Sequence, residues 1–290
     1  MPDTRPTLLL SIDFEDWHQL VRRRVGVADW EPPGPALARQ TDALLKTLDE
    51  LNARATFFVL GMAARAHPHL LGAIVQAGHE IGCHGDAHRP VYSQTAQEFG
   101  QDLRAAKTTI TELTGRTPVG YRAPAFSITR SASWAYDVLA AEGFVYDSSQ
   151  HDSPAIRDHA VPTDRAPHRL ESGLWEFPLA VWHPGRMGGI RIPLGGASYW
   201  QVLPTPLLLK GLRRAAPLAG LYLHPYELDP RPLRAMLPRG ATGAQRAHAR
   251  LRETQRNGAR RRAPKVLQAI ARRYELIPYG EALARLDGGS

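Results

Sequence analysis

Apolar positions in the first 150 residues follow two alternating periods. Short continuous runs cover Leu8-Leu9-Leu10-Ser11-Ile12, Ala55 to Leu60 and His79 to Cys83. Each is too short for a helix and reads as a buried strand. Between the runs, apolar residues recur at three and four positions. Leu37, Leu44, Leu45, Leu48 and Leu51 predict a helix over 36–52. Phe99, Leu103, Ala106, Ile110 and Leu113 predict another over 95–114. A helix over 61–77 is interrupted near Pro68 and stopped by Gly78, and one over 131–142 is closed by Gly143. Short strands follow at 119–121 and 144–146. The alternation of strand and helix predicts an α/β fold built on a parallel sheet.

Beyond Gln150 the pattern loosens. Residues 150–170 read as a long surface loop, 174–182 as a strand segment and 185–196 as a glycine-rich loop. A helix over 199–216 is interrupted near Pro204 and Pro206. Gly220 to Leu223 is an apolar strand ending in His224-Pro225. Residues 230–264 are rich in Arg, Pro and Gly and low in large apolar groups, and no element is assigned there. A helix over 264–273 and a last strand over 274–277 complete the chain. In α/β folds ligands gather at the C-terminal ends of strands. Here those ends carry Asp13, Glu15 and Asp16, then His84 and His88, Arg122, Asp147 and His224. Two histidines four residues apart can share one side of a helical turn, and neutral imidazole is the commonest metal ligand among side chains.

Charge and cysteine content narrow the picture. The formal charge is +8, and nearly all of it is arginine, clustered at 22–24, 213–214, 260–262 and 272–273. No nucleic-acid motif accompanies it, so nucleic acid is not an expected partner; weak association with an anionic membrane is compatible with it. The single cysteine, Cys83, excludes an intramolecular disulfide framework. The apolar run at 8–12 is far too short for a signal-peptide core or a membrane span. The expectation is a soluble cytoplasmic protein.

Five motifs in fixed order resemble the polysaccharide deacetylase family (carbohydrate esterase family 4, the NodB-homology domain). They are closest to the subgroup found in exosortase-associated exopolysaccharide clusters. Ser11-Ile12-Asp13-Phe14-Glu15-Asp16-Trp17 stands where that subgroup has S-V-D-V-E-D-Y. Gly78-His79-Glu80-Ile81-Gly82-Cys83-His84 through His88-Arg89 resembles G-H-E-I-x-x-H-x-x-x-H-R. Gly120-Tyr121-Arg122-Ala123-Pro124-Ala125-Phe126-Ser127 resembles G-Y-R-A-P-x-F-S, and Tyr146-Asp147-Ser148-Ser149 matches Y-D-S-S. His224-Pro225-Tyr226-Glu227-Leu228-Asp229-Pro230 resembles H-P-W-E-x-D-P, and Glu176-Phe177-Pro178 also fits. The likeness covers residues 8–230 and continues loosely beyond. It implies a distorted (β/α) barrel of about seven parallel strands, one domain over 1–290, with 231–290 a basic C-terminal extension packed on the core.

The resemblance also implies a chemistry. Amide hydrolysis needs an activated water, a polarised carbonyl and a protonated leaving amine. A divalent metal with an open position, most consistent with zinc, supplies the first two, lowering the pKa of water from about 15.7 to about 7. His84 and His88 are its expected ligands, with a carboxylate from the first strand end. Most family members carry two adjacent aspartates; here the run is Asp13-Phe14-Glu15-Asp16. On an extended strand residues 13 and 15 share a face, which favours Glu15; a turn after Asp13 would bring in Asp16 instead. Asp13 is implied as general base, Arg122 as the arginine holding it and His224 as general acid. The implied partner is an acetylated glycan or glycolipid, on a polysaccharide or its lipid-linked precursor. The alternatives are an amidohydrolase acting on a small amide and a non-catalytic carbohydrate-binding relative. Trp175, Trp182 and Trp200 are expected in the core, with one available to stack on a sugar, and Cys83 as a buried structural thiol.

Overall fold

The computed structural model describes residues 5–152, 164–185 and 189–288. Most of the loop expected over 150–170, and part of that over 185–196, lies outside the described residues. The chain opens with β1 (Thr7–Phe14), α1 (Trp17–Arg24), α2 (Leu37–Glu50) and β2 (Thr56–Val59). Next come α3 (Gly61–Ala66), α4 (Pro68–Gln76), β3 (Glu80–Cys83) and α5 (Ala96–Thr114). Then follow β4 (Gly120–Tyr121), α6 (Trp134–Ala141), β5 (Tyr146–Asp147), β6 (His168–Arg169) and β7 (Trp175–Glu176). A hairpin of β8 (Val181–Trp182) and β9 (Ile192–Pro193) precedes α7 (Thr205–Leu212) and β10 (Gly220–Leu223). The chain ends with α8 (Gly243–Arg260), α9 (Ala263–Ala271), β11 (Glu275–Ile277) and α10 (Tyr279–Asp287).

The main sheet runs β10-β1-β2-β3-β4-β5-β7-β6, with β11 also on β1. From β10 to β7 every pairing is parallel, and only β6 runs against its neighbour. The strip curls, because Leu179, just past β7, bridges to Gly220 of β10 at the other end. The expected α/β barrel of about seven parallel strands is therefore present as a curled half-barrel. Its strands are buried on both faces, as parallel strands are when helices cover one side. On β1, Leu8, Leu10, Ile12 and Phe14 join the large cluster under the helices, while Leu9 faces an aromatic interior of Phe58, Tyr146, Phe177 and Tyr279.

That interior is full. A Cβ on Gly120 would stand 1.9 Å from Cζ of Tyr146, and one on Gly82 would stand 2.7 Å from the Phe58 ring. The two glycines of β3 and β4 are what let the rings fit. The segment after residue 230 also reaches this interior: β11 pairs with β1 in parallel, and Tyr279 follows it into the aromatic cluster.

Several expected elements differ. The run over 174–182 is split into β7 and β8 by Pro178, which has no N–H for a ladder. The helix expected from 199 begins only at Thr205, beyond Pro204. Helices α1, α8 and α10 had no prediction. The 18-residue α8 shows why: it is arginine-rich and mostly exposed, so it has no apolar stripe to read. Its start was still legible, as Thr242 and Gln245 form a reciprocal capping box. Among the described residues no helix is long and apolar enough to cross a membrane.

Gly120→Ala is expected to destabilise the fold by about 1–3 kcal/mol through overpacking against Tyr146. A denaturant midpoint equal to that of wild type would show that the interior has slack.

Candidate metal centre and catalytic cleft

The strand ends named by the sequence converge. After Phe14 the chain turns sharply, with Glu15 N–H donating to the carbonyl of Asp13 at 3.1 Å. The turn sends neighbouring acids to different places. The Asp16 carboxylate accepts from the backbone N–H of His18 and Gly34, which makes it the N-cap of α1. Glu15 stands instead beside both histidines, its Oε2 3.0 Å from His88 Nε2 and 3.8 Å from His84 Nε2. Of the two acids left open as ligand, it is Glu15 that stands with the histidines, whereas Asp16, engaged as a cap, points away from them. One donor atom from each of Glu15, His84 and His88 lies within 4.8 Å of the others.

The histidine pair is not on a helical turn, as its spacing had suggested. His84 follows β3, Gly85 takes a left-handed φ of +79°, and His88 itself has a φ of +52°. The loop folds back so that the two rings stand 5.5 Å apart at 76°. Arg23 of α1 braces it by donating to the Ala87 carbonyl at 2.8 Å. Of the five described non-glycine residues with positive φ, His88, Ala125 and Phe126 line the same cleft. Each such conformation costs about 1–3 kcal/mol, so the surrounding packing must hold it.

The donor set suits a divalent metal. His84 Nδ1 lies 2.8 Å from the Arg122 carbonyl, which can only accept, so the proton sits on Nδ1 and the Nε2 lone pair faces Glu15. Burial pushes the His84 imidazole down to about 4, which keeps it in the neutral, ligating form. For Glu15, burial alone would raise the carboxyl. The charges of His224 and His88, with a hydrogen bond from His88, outweigh it and hold Glu15 at about 2. Cys83 is fully buried, as expected, and burial drives its thiol up to about 12.

Asp13 and Arg122 form the floor. Arg122 is completely buried and all five of its N–H groups are used. Nη1 donates to Asp13 Oδ1 at 2.9 Å and Ser11 Oγ at 2.6 Å. Nη2 donates to Ser148 Oγ at 2.8 Å and the Tyr279 hydroxyl at 3.0 Å, and Nε to the Ser148 carbonyl at 2.9 Å. The guanidinium also lies 4.3 Å from the Phe58 ring centre. The Tyr-Asp-Ser-Ser motif is accounted for here: Ser148 holds Arg122, and Ser149 Oγ accepts from Ala123 N–H while donating to Asp147.

His224 closes the other side. Its Nε2 is 3.3 Å from Glu15 Oε1, and Glu227 takes both its Nδ1 (3.3 Å) and its backbone N–H (2.8 Å). Burial works against a charge on His224, but Glu15 and Glu227 outweigh it and shift its pKa upward. The Tyr226 ring stacks on the imidazole at 4.9 Å.

These groups open into one cleft of about 790 Å³. Asp13, Glu15, His84, His88 and His224 all line it; Asp16 does not. Arg122 lies beneath it. Sequence reasoning missed Tyr279 and Ser11, which a distant strand and a strand's inner face bring to Arg122. It also missed Tyr92, which is 59 % exposed on the cleft wall. The tryptophans expected as core do not line the cleft, and Trp182 and Trp200 are buried.

Comparisons with known proteins find likenesses over parts of the chain. Residues 32–142 match the family model for polysaccharide deacetylase, and residues 148–272 match a domain of unknown function, DUF3473. His84, His88 and Arg122 fall in the first match and His224 in the second. A peptidoglycan deacetylase-like protein, FGM2, of Gibberella zeae is 30% identical over 57% of this chain and 48% of its own. A peptidoglycan deacetylase of Helicobacter pylori is 33% identical over 47% of this chain and 46% of its own. The chain therefore spans about half the length of these relatives. Among solved structures, a Mycobacterium smegmatis protein assigned as a polysaccharide deacetylase covers 98% of this chain and 91% of its own. Its TM-score is 0.58 at 21% identity, a likeness of fold. A mutant of the Bacillus subtilis peptidoglycan deacetylase PdaC covers 97% of this chain and 91% of its own, with TM-score 0.50 at 13% identity. Residues 32–142 are thus similar to polysaccharide deacetylases, and the fold of the chain is like that of the Mycobacterium smegmatis protein.

Arg122→Met should cost about 3–5 kcal/mol, because it strands Asp13 as a buried unpaired carboxylate. Chemical denaturation checks this, and the Asp13→Asn/Arg122→Met double variant should recover part of the loss.

Proposed function

We propose that this protein is a metal-dependent deacetylase that removes acetyl from an N-acetylated amino sugar and releases acetate. The observation that carries the reading is the convergence of Glu15, His84 and His88 with Asp13 and His224 on one cleft. The names of the relatives support it. The two-nitrogen, one-oxygen donor set suits zinc, though other divalent ions accept it.

When bound by Glu15, His84 and His88, the ion supplies Lewis-acid polarisation and a more acidic water. The remaining work belongs to the chain. Asp13 accepts the proton of the attacking water, and Arg122 fixes the carboxylate that receives it. Glu227 orients His224 through Nδ1, so Nε2 faces the cleft and delivers a proton to the departing amine nitrogen. Tyr92 offers an exposed ring near the site against which a sugar face can pack.

The finer reading follows the motifs. We propose membership of the exosortase-associated subgroup, and a substrate that is an exopolysaccharide or its lipid-linked precursor, met in the cytoplasm. The ordered five-motif series and the lone buried thiol support it.

Metal content of the purified protein is the first test. About one zinc or similar ion per chain is expected, and His84→Ala should lose it while keeping its circular dichroism. Acetate release from N-acetylglucosamine oligomers should fall about 10²–10⁴-fold in Asp13→Asn and in His224→Ala. A wild type that takes up no ion after reconstitution, or whose acetate release survives both substitutions, would overturn the proposal.

A further inference from the structure

Helices α1 and α8 pack together through Trp17, Val21, Tyr226 and Ala249 and form one wall of the cleft. Four of their arginines line it: Arg23, Arg24, Arg252 and Arg256. Arg23 is committed, since it braces the His88 loop and lies 4.8 Å from the Trp30 ring centre. The other three pair with no carboxylate among the described residues. Arg252 reaches only His248 Nε2 at 3.3 Å and Gln255 Oε1 at 3.4 Å, both on its own helix. Arg256, one helical turn on, makes no hydrogen bond among the described residues. Its guanidinium stands 5.9 Å from the centre of the Tyr226 ring, the ring that stacks on His224. Arg24 is exposed on the neighbouring helix.

Arg252 and Arg256 stand one helical turn apart, a spacing at which like charges repel, and Tyr226, Glu227 and Glu15 favour the charge on Arg256 without an ion pair to either acid. Some arginines elsewhere meet acids, as Arg39 does Asp229 and Arg65 does Asp86, while others, such as Arg262 and Arg273, bond only neutral oxygens outside the cleft. A wall that carries one sign of charge concentrates counter-ions of the other beside it, and the guanidinium fork matches phosphoryl oxygens. A single carboxylate would answer one of the three charges; a diphosphate answers two or three. We infer that the cleft takes an N-acetylated sugar carrying a diphosphate, with Arg24, Arg252 and Arg256 seating the phosphoryl groups beside the acetamido site. The sugar half of this inference rests on the deacetylase reading; the anion subsite stands on the arginines.

The two halves are tested separately. Calorimetric titration of the metal-loaded full chain with inorganic diphosphate measures the subsite. The Arg252→Gln/Arg256→Gln double variant should bind at least tenfold more weakly than wild type. Arg250→Gln, on α8 but off the cleft, should stay within twofold. Equal affinity in wild type and double variant would overturn the subsite, since binding would then run through the metal or another surface. Acetate release is then compared for N-acetylglucosamine diphosphate on a short prenyl chain, the same group on uridine, and the neutral N-acetylglucosamine trimer. The ratio of kcat/KM for the better diphosphate substrate to that for the trimer should fall at least tenfold in the double variant. Faster turnover on the prenyl arm identifies a lipid-linked source, and on the uridine arm a nucleotide-linked one. A wild type that prefers the trimer overturns the inference and leaves the deacetylase reading standing. Arginine-dependent diphosphate binding with no acetate from any substrate overturns the deacetylase reading and the sugar half with it.

Discussion

A guanidinium buried without water has to be satisfied completely or it costs several kcal/mol, and Arg122 is the point where this protein meets that demand. Its five N–H groups reach Ser11 and Asp13 on β1, Ser148 beyond β5 and Tyr279 beyond β11. Segments more than 100 residues apart are thus fixed by one side chain. The same bonds fix the orientation of Asp13, so stability of the half-barrel and geometry of the cleft floor cannot be varied independently. The carbonyl of Arg122 extends the coupling to His84, whose tautomer it sets.

Above that floor the site is organised by Glu15. Three imidazoles surround its carboxylate, and the charges of His224 and His88 outweigh a burial that by itself would favour the neutral acid. The arrangement is a concentration of opposite partners with no room for an alternative pairing. Asp16, one residue on, is spent on capping α1 and so cannot compete. Cleft residues held at positive φ show that the backbone has been bent to bring these groups together.

The wall made by α1 and α8 obeys different physics. Its apolar contacts are few and confined to one small cluster, while its cleft face carries Arg24, Arg252 and Arg256, which form no ion pair among the described residues. The floor selects the chemistry by buried, fully satisfied bonds. The wall is free to select what is brought to that chemistry, because its charges remain available.

How much of this could be read from the chain follows from the kind of signal each part leaves. The strands β1, β2, β3 and β10 and the helices α2 and α5 announce themselves through apolar periodicity, since their burial is a property of their own residues. The residues that end the strands, Asp13, Glu15, His84, His88, Arg122 and His224, were legible because a parallel sheet gathers strand ends at one edge and because their motifs occur in order. Helices α1 and α8 were not legible, since their faces are mostly polar and their register depends on a partner surface. Which of Glu15 and Asp16 turns toward the histidines was decided by a cap on α1 and by the Asp13–Glu15 turn. That Tyr279 would complete the shell of Arg122 was decided by the pairing of β11 with β1. Local sequence determines which segments are strands and which carry chemistry. Only tertiary packing decides which of two adjacent carboxylates faces the histidines, and which arginines of the cleft wall are left without a carboxylate.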